Sequence, residues 1–289
     1  MAIERAMALV TELLTQAQAL AAVTARMRLD ELGVSGEPAQ REQLDRVVEK
    51  LGAAEHLEDL TPDERAIVVA FARSYMRQAL DLIDEPERVG SWSHTDATLL
   101  QAQGKASAAV ASLALEAGVG KPDARILDIG TGVAGLAIAF SSVFPASTVV
   151  GIDPWEPSLE LARQNVADAG LDSRIMLRAA TVEAFDDPDG FDLVWLPSFF
   201  IPERVMDEAL RTVRRVLRPG GEVMVGVLDG PDDSLAGIID ALVTVRSGGA
   251  LLTPADAVAR LQRAGFAEAR EVERTWKAPL RLAVGRRGE

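Results

Sequence analysis

Apolar positions in the first third of the chain recur at steps of three and four. Ile3, Met7, Val10, Leu14, Ala17 and Ala21 form one series; Ile67, Phe71, Tyr75, Ala79 and Leu82 form another. Such spacing places each set on one face of a helix. Gly33-Val34-Ser35-Gly36-Glu37-Pro38 and Glu85-Pro86 interrupt the pattern. Thr61-Pro62-Asp63-Glu64 has the hydroxyl cap, early proline and first-turn acids of a helix start. Residues 1–115 are therefore expected to be helical. The stripe from Ile3 to Ala21 suits either packing within its own chain or a seam between two copies.

After Gly118-Val119-Gly120-Lys121-Pro122 the pattern changes. Short apolar runs at 125–129, 148–152, 175–178, 193–196 and 222–227 alternate with helical stretches at 134–143, 156–169 and 203–217. Strands separated by helices of that length indicate βαβ units and a parallel sheet. Helical patterns at 236–245 and 254–264 precede two last strand candidates, 267–275 and 280–286. Lys277-Ala278-Pro279 is too short for a parallel crossover, so these two must pair antiparallel. Residues 116–289 are expected to form this second domain, with any ligand at the carboxyl ends of its parallel strands.

The chain has 289 residues, 48% hydrophobic and 26% charged, enough for a sizeable core. Thirty basic residues face 44 acidic ones, a formal charge of −14 spread over both halves, and no basic run exceeds two residues. That balance disfavours a nucleic-acid partner. There is no cysteine, which excludes thiolate chemistry and suits a reducing cytoplasm. With only His56 and His94 present, no histidine-rich metal centre is expected. The apolar amino terminus lacks a basic leader, and Glu4, Glu12, Gln16 and Gln18 interrupt it, so no membrane span is expected.

The sharpest motif is Ile126-Leu127-Asp128-Ile129-Gly130-Thr131-Gly132-Val133-Ala134-Gly135. It sets Gly-x-Gly-x-x-Gly after a strand and at the opening of a helix, where glycine lets backbone approach a ligand. Asp153 ends the next strand, placed to take two ribose hydroxyls. A dinucleotide would bring an anionic pyrophosphate to this loop, against Asp128. S-adenosylmethionine brings a sulfonium and an ammonium group instead, which a carboxylate favours. A nicotinamide-dependent oxidoreductase and a non-catalytic or non-methylating S-adenosylmethionine-binding protein remain alternatives.

Here the chain resembles the class I S-adenosylmethionine-dependent methyltransferases over about residues 100–289. Leu127-Asp128-Ile129-Gly130-Thr131-Gly132 is similar to that family's cofactor loop, and Val150-Gly151-Ile152-Asp153 to its ribose-binding strand end. Phe191-Asp192-Leu193-Val194, Leu217-Arg218-Pro219-Gly220-Gly221-Glu222 and Leu261-Gln262-Arg263-Ala264-Gly265-Phe266 are similar to its later landmarks, in the same order. The resemblance implies an α/β, Rossmann-like, doubly wound seven-stranded sheet with an antiparallel last strand, preceded by a helical domain. It implies methyl transfer to O, N or C of a small, partly apolar metabolite, without metal.

For the cofactor, the resemblance implies contacts from Asp128, Gly130, Thr131, Gly132 and Gly135, and from Asp153 and Pro154. It adds Gln103 before the domain, and Leu196 and Ser198 after the fourth strand. Where the family offers an acid to the adenine amino group, this chain has Thr181. Either the Thr181 hydroxyl and the Val182 amide serve adenine, or Glu183 does. Leu196-Pro197-Ser198-Phe199 differs from the Asn/Asp-Pro-Pro-Tyr tetrad of amino-methylating nucleic-acid enzymes, since Leu196 cannot bond an amine.

Acceptor contacts are sought just before the cofactor domain. Ser91-Trp92-Ser93-His94-Thr95-Asp96 combines an aromatic plate, an imidazole and a carboxylate. His94 is the candidate general base, with a capping or surface role as the alternative; His56 reads as a surface histidine. Trp92, Phe199 and Phe200 are candidate acceptor walls, while Trp195 reads as core. Asp229-Gly230-Pro231-Asp232-Asp233 reads as a pocket edge or a solvated turn. The expected assembly is a homodimer through the amino-terminal helices.

Overall fold

A computed structural model describes residues 2–228, 234–276 and 280–289. The proposed pocket edge at 229–233 and the connection at 277–279 lie outside the described residues. The chain forms two compact units, parting between Asp84 and Glu85.

The first unit is helical. It contains α1 (Ala2–Glu31), α2 (Pro38–Lys50), α3 (Ala54–Glu58) and α4 (Pro62–Asp84). The sequence breaks fall between these helices, as their glycines and prolines require. Thr61 caps α4: its hydroxyl accepts from the Glu64 N–H at 3.3 Å, while the Glu64 carboxylate accepts from the Thr61 N–H at 2.9 Å. Asp30 of α1 pairs with Arg65 of α4 at 2.7 Å. By length and composition, α1 is long and apolar enough to cross a membrane. This differs from the sequence expectation, which demanded an unbroken apolar run; isolated polar residues interrupt the run without lowering its overall hydropathy enough.

The second unit begins with α5 (Ala97–Ser107) and α6 (Ala109–Glu116). The pattern places the domain break at 115, where strands begin, but these two helices belong to the sheet's unit. Leu113 and Ala114 are buried in one cluster with Phe140 and Phe144, which ties α6 to the layer covering the sheet.

Among the described residues seven strands form one sheet in the order β3-β2-β1-β4-β5-β7-β6. They are β1 (Arg125–Ile129), β2 (Thr148–Asp153), β3 (Ile175–Ala179), β4 (Phe191–Pro197), β5 (Leu217–Leu228), β6 (Ala267–Glu271) and β7 (Leu280–Arg286). The first five run parallel, and β7 is antiparallel to both β5 and β6. β5 begins at Leu217, ahead of the apolar run at 222–227; Leu217 pairs with Phe191 before a register shift.

Alternation along the strands builds two cores. Leu127, Ile129, Val150 and Ile152 face α9 (Glu203–Val216) and α11 (Pro254–Arg263). Ile126, Val149, Leu193 and Trp195 face α6, α7 (Gly135–Val143) and α8 (Glu156–Asp168). Helices on both faces explain why these strands read as nearly continuous apolar runs. Trp195 is 4% exposed, in the core as read from sequence. The connections from β1 to β2 and from β4 to β5 leave toward opposite edges of the sheet, so the crevice past β1 and β4 is its topological switch point.

Packing is close where Gly226 of β5 meets that tryptophan: a Cβ there would stand 2.2 Å from Trp195 Cη2. Gly226→Ala is expected to destabilise the protein by roughly 1–3 kcal/mol through overpacking. A second change, Trp195→Phe, should recover part of the loss, as read by thermal denaturation of both variants.

Candidate active site

The carboxyl ends of β1 and β2 hold two buried acids, Asp128 at 1% and Asp153 at 8% exposure. Between them the loop turns back sharply. Gly130 and Thr131 both donate their N–H to the Ile152 carbonyl, at 2.9 and 3.0 Å. To do so the chain enters the left-handed region at Gly130 (φ 70°), Gly132 (φ 56°) and Ala134 (φ 64°). The first two positions favour glycine for that reason, and the alanine is strained there. Gly135 is required by packing instead, since a Cβ would lie 2.0 Å from the Gly104 carbonyl oxygen of α5. Nothing stands within 4 Å of where a Cβ on Gly132 would be, which leaves a cradle open above the backbone.

Asp153 accepts from the Gly132 N–H at 2.9 Å with one oxygen and from the Trp155 N–H at 2.8 Å with the other. Each oxygen retains a second lone pair able to take a hydroxyl. Burial raises the Asp153 carboxyl above its ordinary range, against those two bonds. Asp128 accepts from the Thr131 hydroxyl at 2.7 Å, beneath the loop. Burial pushes its carboxyl up to about 7, opposed by the Thr131 bond and reinforced by the charge of Asp153. A nearby cation would favour the ionised form of both acids. The chemistry therefore suits a ligand that is positive and carries a diol. Because Asp128 is covered by Thr131, it could act on such a ligand only through its field.

The segment before the sheet is fixed against this site. The Trp155 indole Nε1–H donates to the His94 carbonyl at 2.8 Å, just past Asp153. His94 and Trp92 meet edge to face at 4.8 Å, Trp92 and Phe200 at 5.1 Å, and Phe200 and Phe199 at 4.9 Å. Hence all four residues proposed for the acceptor side come together in one aromatic cluster. Asp96 has a separate task, capping α5 by accepting from the Leu99 N–H at 3.1 Å.

Other sequence candidates are placed as follows. Gln103 is half-buried on α5, beside the glycine that meets Gly135. Pro154 is exposed, whereas Thr181 and Glu183 are half-buried past β3. The Val182 side chain is in the core, which leaves its backbone for any ligand contact. Leu196 is likewise fully buried within the sheet. Ser198 is buried at 1% in the 3-10 turn Ser198–Phe200, where its carbonyl accepts from the Ala250 N–H at 3.0 Å. Among the described residues, no group of three or more His, Asp or Glu side chains could hold a metal.

Sequence reasoning missed Trp155, whose indole fastens the acceptor segment; its place two residues after Asp153 was the available signal. It also missed the Gln101–Asn165 pair, bonded both ways at 2.9 and 3.0 Å, from which Asn165 reaches the Val133 carbonyl at 2.8 Å. No local pattern could have joined residues so far apart.

Residues 126–221 match the family model described as a methyltransferase domain. Demethylmenaquinone methyltransferase of Thermus thermophilus is 35% identical over 128 residues, 44% of this chain and 56% of that protein. Methyltransferase GfsG of Streptomyces halstedii is 30% identical over 148 residues, covering 49% of this chain and 52% of that protein. The chain thus spans about half the length of the curated relatives it matches. Solved structures align along nearly all of it. Human N-acetylserotonin methyltransferase in complex with S-adenosylmethionine covers 98% of both chains with a TM-score of 0.69 at 16% identity. The pyocyanin biosynthetic protein PhzM covers 99% of both with a TM-score of 0.68 at 17% identity. The fold is that of these solved structures, and residues 126–221 match the methyltransferase-domain model.

Proposed function

We propose that this chain transfers a methyl group from S-adenosylmethionine to an O, N or C atom of a small, partly apolar metabolite. The observation that carries the reading is the strand-end cradle between two buried carboxylates, Asp128 and Asp153, with an aromatic cluster fastened beside it through Trp155. The methyltransferase family model on residues 126–221 supports the same reading. A dinucleotide is disfavoured because its pyrophosphate would lie at the loop above Asp128.

The bound sulfonium supplies the methyl group; the protein's own residues bind, orient and exclude water. The Gly130–Gly132 backbone and Gly135 shape the cradle, Asp153 takes the ribose diol, and Asp128 with Thr131 biases the site toward positive charge. Thr181 with the Val182 amide, or Glu183, meets adenine, while Gln103, Pro154, Leu196 and Ser198 supply the remaining contacts, Leu196 through its backbone. Trp92, Phe199 and Phe200 form the acceptor wall. In-line displacement gains most from alignment in a dry site. His94 accepts a proton where the acceptor is a hydroxyl that must lose one.

The working assembly is a homodimer in the cytoplasm. Ile3 (70% exposed), Met7, Val10 and Leu14 leave an apolar stripe along α1 in contact with solvent, which a second copy would cover. The cysteine-free composition suits a reducing compartment.

Four experiments test these assignments. Because burial raises the Asp128 carboxyl from 3.8 to about 7, the folded protein holds this proton more tightly than the unfolded chain. The stability contributed by the neutral form is complete below about pH 4 and is lost as pH rises to about 7. A positive ligand favours the carboxylate, so affinity for S-adenosylmethionine should rise with pH through that window. Calorimetric titration at about pH 6 and about pH 8 should show tighter binding at the higher value. Asp128→Asn should remove most of that difference and weaken binding about tenfold or more. Incubation with labelled S-adenosylmethionine and pooled small metabolites should yield S-adenosylhomocysteine and a methylated product. His94→Ala should lower turnover much more than cofactor affinity; unchanged turnover would make His94 structural. Finally, sedimentation should report a dimer, and Val10→Glu with Leu14→Glu should shift it to monomer without loss of helicity.

A further inference from the structure

Trp155 breaks a local rule. It stands at the N-cap of α8, where Ser, Thr, Asp or Asn would hold a helix amide, and its side chain makes no such bond. Among the described residues it belongs to neither hydrophobic core of the second unit, although an indole is one of the largest apolar groups a core can take. A side chain that serves neither its helix nor the core is expected to serve a site.

Its polar groups are committed in two directions. The main-chain N–H donates to one Asp153 oxygen at 2.8 Å and the Gly132 N–H donates to the other at 2.9 Å, so one carboxylate holds Trp155 and the cradle backbone together. The indole Nε1–H donates to the His94 carbonyl at 2.8 Å, across 61 residues of sequence. His94 in turn meets Trp92, and Trp92 meets Phe200 past β4, both edge to face.

The segment 91–96 is fixed at both ends. At one end the Ser91 N–H donates to the Arg246 carbonyl at 3.1 Å, where the helix Leu235–Arg246 stops, and a Cβ on Gly90 would stand 2.1 Å from the Val245 carbonyl oxygen. At the other end Asp96 caps α5, and α5 reaches the glycine loop through Gln101 and Asn165, whose amide donates to the Val133 carbonyl at 2.8 Å. Residues 92–95 between these ends have no regular secondary structure. Bonds from outside the segment, that of the Trp155 indole among them, therefore set where its backbone lies.

A diol donating to Asp153 favours the ionised carboxylate, in which both oxygens accept at full strength. That tightens the Trp155 amide along with the cradle. A ligand shifts a conformational equilibrium only through its differential affinity for the two states. The bonded chain from Asp153 through Trp155 to His94 supplies that difference, because a segment held in place keeps Trp155, and with it Asp153, in the geometry that takes the diol.

We propose that Trp155 is a positioning residue that couples the cofactor cradle to the acceptor segment 91–96, so that a bound cofactor holds Trp92 and His94 in place. The proposal rests on the methyltransferase reading above and adds to it a link between the two halves of the site.

The test uses the full chain with S-adenosylhomocysteine as the probe. Hydrogen exchange read by mass spectrometry should show the peptide carrying residues 92–96 exchanging about tenfold more slowly when the probe is saturating. Trp155→Phe keeps an aromatic ring and removes the donor. This variant should bind the probe within about threefold of the native affinity, yet its 92–96 peptide should exchange at one rate with and without the probe. A residue that only stiffened the fold would raise exchange generally and leave the effect of the probe on 92–96 intact. In native protein labelled with heavy nitrogen at its four indoles, the Trp155 indole proton should also exchange about tenfold more slowly with the probe bound, which decides the proposal even where Trp155→Phe does not fold. No added protection of 92–96, protection that persists in Trp155→Phe, or an indole proton indifferent to the probe would each overturn the proposal. Absence of S-adenosylhomocysteine binding by the native protein would instead overturn the cofactor reading, which keeps the two failures distinct.

Discussion

Two carboxylates withdrawn from water at the ends of adjacent parallel strands set the terms for the second unit. An ionised group cannot be buried without partners, so the surroundings of Asp128 and Asp153 are constrained in detail. The Thr131 hydroxyl covers one, and the Gly132 and Trp155 amides hold the other. Those bonds require the loop to double back over Ile152, which in turn demands positive φ at Gly130 and Gly132. Gly135 then brings α7 close enough to touch α5. A cationic ligand completes this arrangement electrostatically, and an anionic one would oppose it.

The same constraint joins binding to the acceptor side. Trp155 offers its amide to Asp153 and its indole to the His94 carbonyl, so a single residue links Asp153 to the segment carrying Trp92 and His94. Across the switch point, the turn after β4 carries Phe199 and Phe200 into that aromatic cluster while Ser198 reaches Ala250. In the proposed reaction, alignment of donor and acceptor would depend on these strand ends and on contacts between residues distant in the chain. Rigid scaffolding of this kind is what positional catalysis needs.

Several parts of the architecture were readable one element at a time. The βαβ alternation, the antiparallel end of the sheet and the breaks at Gly33–Pro38 and Glu85-Pro86 follow from periodicity and from turn chemistry, both of which act over a few residues. The glycine loop was readable for a similar reason, because left-handed backbone leaves a compositional trace. Two readings changed on folding. Asp128 accepts a hydrogen bond from the Thr131 hydroxyl, which covers it, and α5 and α6 belong with the sheet, earlier than the pattern break at 115. The helical pattern at 236–245 is a helix over Leu235–Arg246, but that pattern could not tell that Asp240 and Thr244 would be its buried residues.

The sequence by itself determined the class of the fold, the strand order's parallel and antiparallel parts, and the sign of the charge that the loop prefers. These depend on local periodicity, on φ preferences and on the identity of single acids. Only the tertiary structure decided how deeply those acids are buried and hence how far their ionisation is displaced. It alone decided that Trp92, His94, Phe199 and Phe200 meet, and that Asp240 is buried. Burial and proximity are properties of the whole packed chain, fixed by which faces of distant elements come together; no window of neighbouring residues contains them.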